Sequence, residues 1–200
     1  MRELEALRRR YEGRAPGLMG AKRNFAVLCP FLEKEGEAHL LFEVRAGALR
    51  QGGEVCFPGG AMEAGETAAE CALRETEEEL GIPRSQVTLF GESYFQANQE
   101  NFLLRPVLGL VSPAGLAAMR PSEAEVAEVF TVPVRFFRET PPELYAYELV
   151  PRVPEDFPYE AVGVPRDYPW RGGKVSVPIW YYKGHAIWGL TGRILRDILK

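Results

Sequence analysis

One stretch of 23 residues, Gly60 to Ile82 (GAMEAGETAAECALRETEEELGI), constrains this chain more than any other. Its centre is Arg74-Glu75-Thr76-Glu77-Glu78-Glu79, preceded by Glu66 and by the turn Pro58-Gly59-Gly60. The spacing predicts a helix with Glu75, Glu78 and Glu79 on one face, at i, i+3 and i+4. Like charges so close repel, and the repulsion is relieved when a cation sits among them. Hard carboxylate oxygens suit Mg²⁺ or Mn²⁺. An ion of this kind commonly holds phosphate oxygens as well, so the pattern points to phosphate chemistry.

The opposite side of the same helix is apolar. Ala69, Ala72, Leu73, Thr76 and Leu80 follow the spacing of a stripe that packs on a core. Thr67 with Glu70 predicts a capping box, and Gly81 followed by Pro83 predicts the stop. The competing reading is an ordinary solvated acidic face. Such a face gains from interleaved basic residues, and here Arg74 is the only one.

The stretch resembles the box of the Nudix hydrolases, with Gly60, Glu66, Arg74-Glu75, Glu78-Glu79, Gly81 and Ile82 at the family's spacing. Thr76 departs from it, standing where an aliphatic residue is usual, on the packing side. The resemblance implies an α/β fold, an α/β/α sandwich around a mixed β-sheet. It implies hydrolysis of a nucleoside diphosphate linked to another group, with Mg²⁺ or Mn²⁺ as cofactor. It assigns metal binding to Glu75, Glu78 and Glu79, and gives Arg74, with Glu66, the task of orienting those carboxylates. Glu79 is the first choice for the general base.

The flanks narrow the expectation. Leu40-Leu41-Phe42-Glu43-Val44-Arg45-Ala46, then Arg50, Gly53 and Phe57-Pro58-Gly59-Gly60, is similar to the segment before the box in coenzyme A pyrophosphatases. The spacer between Arg50 and Gly53 is one residue shorter than usual. Ser122 to Phe130 with Val132-Pro133, and Ile187 to Leu195, also resemble that subfamily. The marks of other subfamilies are missing: no proline occurs between Arg84 and Arg105, where ADP-ribose pyrophosphatases carry one. The implied reaction cuts the diphosphate of coenzyme A into adenosine 3′,5′-bisphosphate and 4′-phosphopantetheine. Arg45, Arg50, Gly59 and Gly60 are the expected substrate contacts, since a guanidinium suits phosphate. Equally, Arg45 would pair with Glu43 or Glu54 on a strand edge. Two alternatives stand beside this reading. One is a Nudix enzyme for ADP-ribose or oxidised nucleotides. The other is a non-catalytic nucleotide-binding module, which would be expected to lose box carboxylates.

Two hundred residues at 46% hydrophobic fit one domain over 1–200. A net charge of −4 argues against nucleic acid, and no apolar run is long enough for a membrane span. The start lacks a secretory signal, so a cytoplasmic location is expected. Cys29, Cys56 and Cys71 have no metal-ligand spacing and read as small buried residues. His39 and His185 are too few and isolated for a histidine metal site, with His39 expected in a strand and His185 in a turn.

Helices are expected at 3–11, with Leu4 and Leu7 inward, and at 189–199, with Leu190, Ile194, Leu195 and Ile198 inward. Strands are expected at 25–32, 39–45, 87–95, 102–111, 128–134 and 176–182, the last in a hairpin with 186–188. Residues 138–175, rich in proline and aromatics, are expected to form an excursion on the surface or at a dimer contact, in preference to a loop over the site. Glu125 is the first candidate for an additional carboxylate, with Glu123 and Glu100 behind it, unless Ser122 simply caps a helix. A small-molecule substrate is the expected partner, and the family makes a homodimer plausible.

Overall fold

The structure, a computed structural model, describes residues 1–14, 17–21, 23–48, 51–97 and 101–200. The strands are β1 (Arg23–Lys34), β2 (Glu37–Arg45), β3 (Val55–Cys56), β4 (Gly59–Ala61), β5 (Val87–Glu92), β6 (Gln96–Ala97), β7 (Phe102–Val111), β8 (Val126–Pro133), β9 (Glu143–Leu149), β10 (Gly173–Tyr182) and β11 (His185–Ile187). The helices are α1 (Arg2–Tyr11), α2 (Ala68–Leu80), α3 (Pro113–Ala118), α4 (Val134–Glu139), α5 (Tyr159–Val162) and α6 (Gly189–Ile198).

The main sheet runs β3-β2-β1-β7-β5, with β4 on β1, β6 on β7 and β8 on β2. It is mixed: β1 and β7 are parallel and its other pairs antiparallel. A second sheet, β11-β10-β9, is antiparallel.

Strand alternation divides the core between the two faces of the main sheet. Ala26 and Leu28 of β1 meet Ala68, Cys71 and Ala72 of α2. Leu32 and Leu41 lie in a neighbouring cluster with Leu80 and Ile82. Leu40 and Phe42 point the other way, into a cluster with Phe137 of α4, Trp180 of β10 and Ile194 and Leu195 of α6. Helices thus cover both faces, which is the expected α/β/α sandwich.

Several expectations need correction. α1 forms, but Leu4 and Leu7 are 66% and 52% exposed and the helix buries no residue. A helical period sets a common face; it does not supply a surface to cover that face. The buried side of α2 is Ala68, Cys71, Ala72, Thr76, Glu79 and Leu80, with Ala69 and Leu73 only half-buried. The buried arc is thus rotated from the expected stripe and takes in one of the three glutamates, Glu79. The strand from Val87 ends at Glu92, and His185 opens β11 opposite Tyr182 rather than lying in the turn. Ser122 starts a turn, accepting from the Glu125 and Val126 N–H groups, and no helix follows. Within 138–175, β9 pairs along β10 from Ile179↔Glu143 to Gly173↔Leu149. That stretch is therefore partly a sheet edge.

Candidate active site

The site begins with the capping of α2. Thr67 Oγ1 accepts from Glu70 N–H at 3.2 Å, and Glu70 Oε2 accepts from Thr67 N–H at 2.8 Å, the predicted capping box. At the other end Gly81 adopts φ +67, a left-handed cap that favours glycine. The segment after α3 then satisfies the last carbonyls: Arg120 N–H donates to Leu80 O and Ser122 N–H to Glu79 O, both at 2.8 Å. The last turn of the helix, and Glu79 with it, is fixed from both sides.

Arg74 is the hub of the exposed flank. Its Nε donates to Glu66 Oε1 at 2.9 Å and its Nη2 to Glu66 Oε2 at 3.1 Å, a bidentate pair. Nη1 donates to Glu75 Oε1 at 2.7 Å and to Glu78 Oε2 at 3.2 Å, and Nη2 also reaches Ala61 O at 3.1 Å. Glu66 additionally accepts from Glu63 N–H at 2.8 Å. These bonds, the guanidinium's first, pull the Glu66 carboxyl down to about 2. One planar cation thus lines up three carboxylates.

Glu79 behaves differently. It is 5% exposed, and its Oε2 accepts from Gly59 N–H at 2.8 Å. Burial, then the charge of Glu43, pushes its carboxyl up to about 8. Glu43 lies on β2 on the α2 side of the sheet and is 1% exposed. Its Oε1 accepts from Cys56 Sγ at 3.3 Å, while Oε2 is buried with no hydrogen-bond partner. Burial pushes the Glu43 carboxyl up to about 7. Burial also raises Glu75, where Glu78 and Glu125 add to the effect and Arg74 opposes it.

Glu43 is the residue that sequence reasoning missed as part of the cluster. Its signal was a lone acid in the run Leu40-Leu41-Phe42-Glu43-Val44, five consecutive buried or half-buried positions. β2 is paired on both edges, by β1 and then β3 on one side and by β8 on the other, so such a position has little access to water.

Glu125 is exposed, yet its charge is felt at both Glu43 and Glu75, and its carbonyl accepts from Ala46 N–H at 2.8 Å. Arg45 forms an ion pair with neither Glu43 nor Glu54; its charge lowers Glu43, Glu79 and the Cys56 thiol. The Arg45 N–H donates to Glu54 O at 3.0 Å. Arg50 and Glu100 lie outside the described residues. Cys29, Cys56 and Cys71 are all free, and burial raises the thiol of each.

Among the described residues, no three carboxylate, histidine or cysteine groups are already arranged around one point. Arg74 Nη1 spans Glu75 and Glu78. The donor set nonetheless fits a hard divalent cation. Glu75 and Glu79 are held above their ordinary range by burial and by neighbouring carboxylates, Glu78 and Glu125 for the first and Glu43 and Glu75 for the second, and Glu43 keeps an oxygen without a partner. Positive charge placed among them would relieve all three conditions.

Gly59 and Gly60 form the wall behind the cluster. A Cβ on Gly60 would collide with the Glu75 carboxylate, and one on Gly59 with the Ala26 carbonyl. The other side of the same wall faces a cavity of about 760 Å³. Its lining includes Arg23, Phe25 and Val27 of β1, Arg45, residues 54–57, Phe102, Tyr147 of β9 and residues 188–191, 193 and 194 around α6. The carboxylates and the cavity meet at these two glycines.

A family profile described as the NUDIX domain matches residues 22–152. The chain is 34% identical over 139 residues to the mouse peroxisomal coenzyme A diphosphatase NUDT7, covering 68% of this chain and 57% of that protein. It is 29% identical over 198 residues to the human mitochondrial coenzyme A diphosphatase NUDT8, covering 96% of this chain and 75% of the other. An uncharacterized Nudix hydrolase NudL from Photorhabdus laumondii is 30% identical over 177 residues, 88% of this chain and 83% of that one. In fold, the chain is similar to the crystal structure of the Nudix hydrolase RenU from M. smegmatis. The TM-score is 0.51 at 24% identity, over 64% of this chain and 80% of that one. The box geometry and the extent of the profile match agree, and the chain belongs to the Nudix hydrolase family.

Proposed function

We propose that this chain is a divalent-metal-dependent diphosphatase that cleaves coenzyme A, or a derivative of it, into adenosine 3′,5′-bisphosphate and 4′-phosphopantetheine. One observation carries the reading. The carboxylate cluster and a cavity whose described lining includes three arginines and one glutamate share the Gly59–Gly60 wall. A substrate whose diphosphate lies at the glycines has its reacting phosphorus at the carboxylates and its organic arms in the cavity. The names of the mouse and human relatives supply the substrate class.

In this reading Glu75, Glu78 and Glu79 hold Mg²⁺ or Mn²⁺. A metal bound there would supply charge neutralisation at the phosphoryl oxygens and would lower the pKa of a bound water. Arg74 keeps Glu75 and Glu78 aligned, and Glu66 holds Arg74 in place. Gly59 N–H fixes Oε2 of Glu79. Glu79 Oε1 accepts no hydrogen bond from a described residue, which leaves it able to take the proton of the attacking water. Arg45 lies at the junction and neutralises substrate phosphate, and Glu125 is the additional carboxylate. No helix among the described residues is long and apolar enough to cross a membrane.

The test is mass spectrometry of the products after incubation with coenzyme A and Mg²⁺ or Mn²⁺, beside ADP-ribose and 8-oxo-dGTP. The expected products are adenosine 3′,5′-bisphosphate and 4′-phosphopantetheine, absent with Glu79→Gln. Intact coenzyme A with turnover of another nucleotide would overturn the substrate assignment. No turnover of any of the three would overturn the enzymatic reading of this site.

A further inference from the structure

Among its described lining residues the cavity carries more guanidinium than carboxylate. In a chain of net charge −4, the described residues that line the cavity include Arg23, Arg45 and Arg193 and one carboxylate, that of Glu54. Arg45 is engaged electrostatically with Glu43 and Glu79. The side chains of Arg23 and Arg193 form no ion pair with a described residue, although Arg193 is half-buried. Desolvating a guanidinium part-way without a carboxylate is unfavourable, unless an anion completes the site.

The fold holds Arg193 in place deliberately. Thr191 Oγ1 donates to Val55 O at 3.1 Å, both groups being buried, which ties α6 to the strand leading into Phe57-Pro58-Gly59. Gly192 lets the helix approach β10 so closely that a Cβ there would press on the Pro178 carbonyl. One turn away from Thr191, Arg196 Nη1 is committed to Ser176 Oγ at 2.8 Å. Arg193 is thus carried by a helix anchored on both sides, yet its side chain bonds to no described residue. Arg23, exposed, lines the same cavity from the start of β1, opposite Phe102 in the parallel register, next to the edge-to-face pair Phe25–Phe102 with ring centroids 5.1 Å apart.

We propose that Arg193 of α6 and Arg23 of β1 form a second anion subsite, separate from the carboxylate cluster, which selects nucleotides carrying a phosphate besides the diphosphate. Resting on the function proposed above, that group is the ribose 3′-phosphate of coenzyme A. Arg193 and Arg23 act in binding, and neither touches the bond that breaks.

The test uses Arg193→Gln and Arg23→Gln, which keep most of the side-chain bulk, with thermal melting to verify that both fold. Two ratios are measured on each protein. The first is kcat/KM for coenzyme A over that for 3′-dephospho-coenzyme A. The second is the affinity, by calorimetry, for adenosine 3′,5′-bisphosphate over adenosine 5′-monophosphate, which needs no turnover. Wild type is expected to favour the 3′-phosphorylated member in both. Arg193→Gln is expected to shrink each preference about tenfold, as loss of a charge-assisted bond does, and Arg23→Gln to shrink each by a smaller factor. Arg193→Lys is expected to restore part of the preference, because a point charge replaces the fork incompletely. A wild type without 3′-phosphate preference, or variants whose ratios match wild type within about twofold, would overturn the subsite. If wild type leaves coenzyme A intact but binds the bisphosphate selectively, and Arg193→Gln loses that selectivity, the substrate assignment fails while the subsite stands.

Discussion

Glu79→Gln should make the metal-free protein more stable and the enzyme nearly inert. The Glu79 carboxyl is pushed from 4.5 to about 8 by burial and by Glu43. A carboxyl whose folded value is raised binds its proton more tightly in the folded state. Its stabilising contribution is therefore complete below about pH 4.5 and is lost as pH rises toward 8. While the folded state holds one proton more, stability falls by about 1.4 kcal/mol per pH unit, or roughly 2 kcal/mol from pH 6 to pH 8. Glu43, pushed up to about 7, shares the same like-charge repulsion, so the two titrate as a pair. A glutamine at 79 still offers an amide oxygen to Gly59 N–H but carries no charge to desolvate or to repel Glu43. Urea unfolding in a chelator at pH 6 and pH 8 should show the variant losing about 2 kcal/mol less than wild type between them, with Glu43 alone still titrating in the variant. At pH 8 the variant should be the more stable protein by about 1–3 kcal/mol, with turnover reduced about 100-fold or more. Saturating Mg²⁺ should remove most of wild type's loss at pH 8. A metal-free wild type whose stability is flat between pH 6 and pH 8, or a variant less stable at pH 8, would refute this account of the cluster.

Arg74→Lys should lower kcat about tenfold or more while leaving KM within about twofold, because an ammonium cannot serve Glu66, Glu75 and Glu78 from one plane. Rescue of kcat by the lysine would show that charge alone suffices. Gly60→Ala should cost about tenfold or more in kcat/KM, since the new methyl displaces the Glu75 carboxylate; steady-state kinetics with unchanged affinity for divalent metal would count against that displacement. Thr191→Val should destabilise by about 1–3 kcal/mol in denaturant unfolding, because it leaves the buried Val55 carbonyl without its donor. A change under about 0.5 kcal/mol would show that the tie to α6 is dispensable.

The box helix was legible because its signals are local. The capping box and left-handed Gly81 sit where Thr67, Glu70 and Gly81 place them. β7 spans Phe102–Val111 as its apolar run predicts. What escaped depends on contacts distant in sequence. Glu43 joins the cluster only because β2 is enclosed between neighbours and Glu79 descends on it from α2. Leu4 and Leu7 share a helical face, but nothing in their spacing tells whether a surface covers it. β9 was hidden in a proline-rich stretch because its pattern is exposed at six of seven positions, so pairing with β10, not burial, makes it a strand. The arginines of the cavity come from β1, β2 and α6, and only the fold brings them together.

The Gly59–Gly60 wall also divides the chain's labour. On one side stand residues 43–79, which form the carboxylate cluster; on the other stand β10 and α6, which begin after residue 152, where the family profile ends. The wall carries no side chains, so neither half can be read through it except by backbone. Editing the last fifty residues can therefore change one wall of the cavity while the carboxylate cluster stays untouched; further lining comes from β1, β2, residues 54–57, Phe102 and Tyr147. That freedom is bounded, because Trp180, Ile187, Ile194 and Leu195 from the same tail are also core. Within that tail, a change of specificity falls on the few positions of α6 and β10 that face the cavity, Arg193 among them.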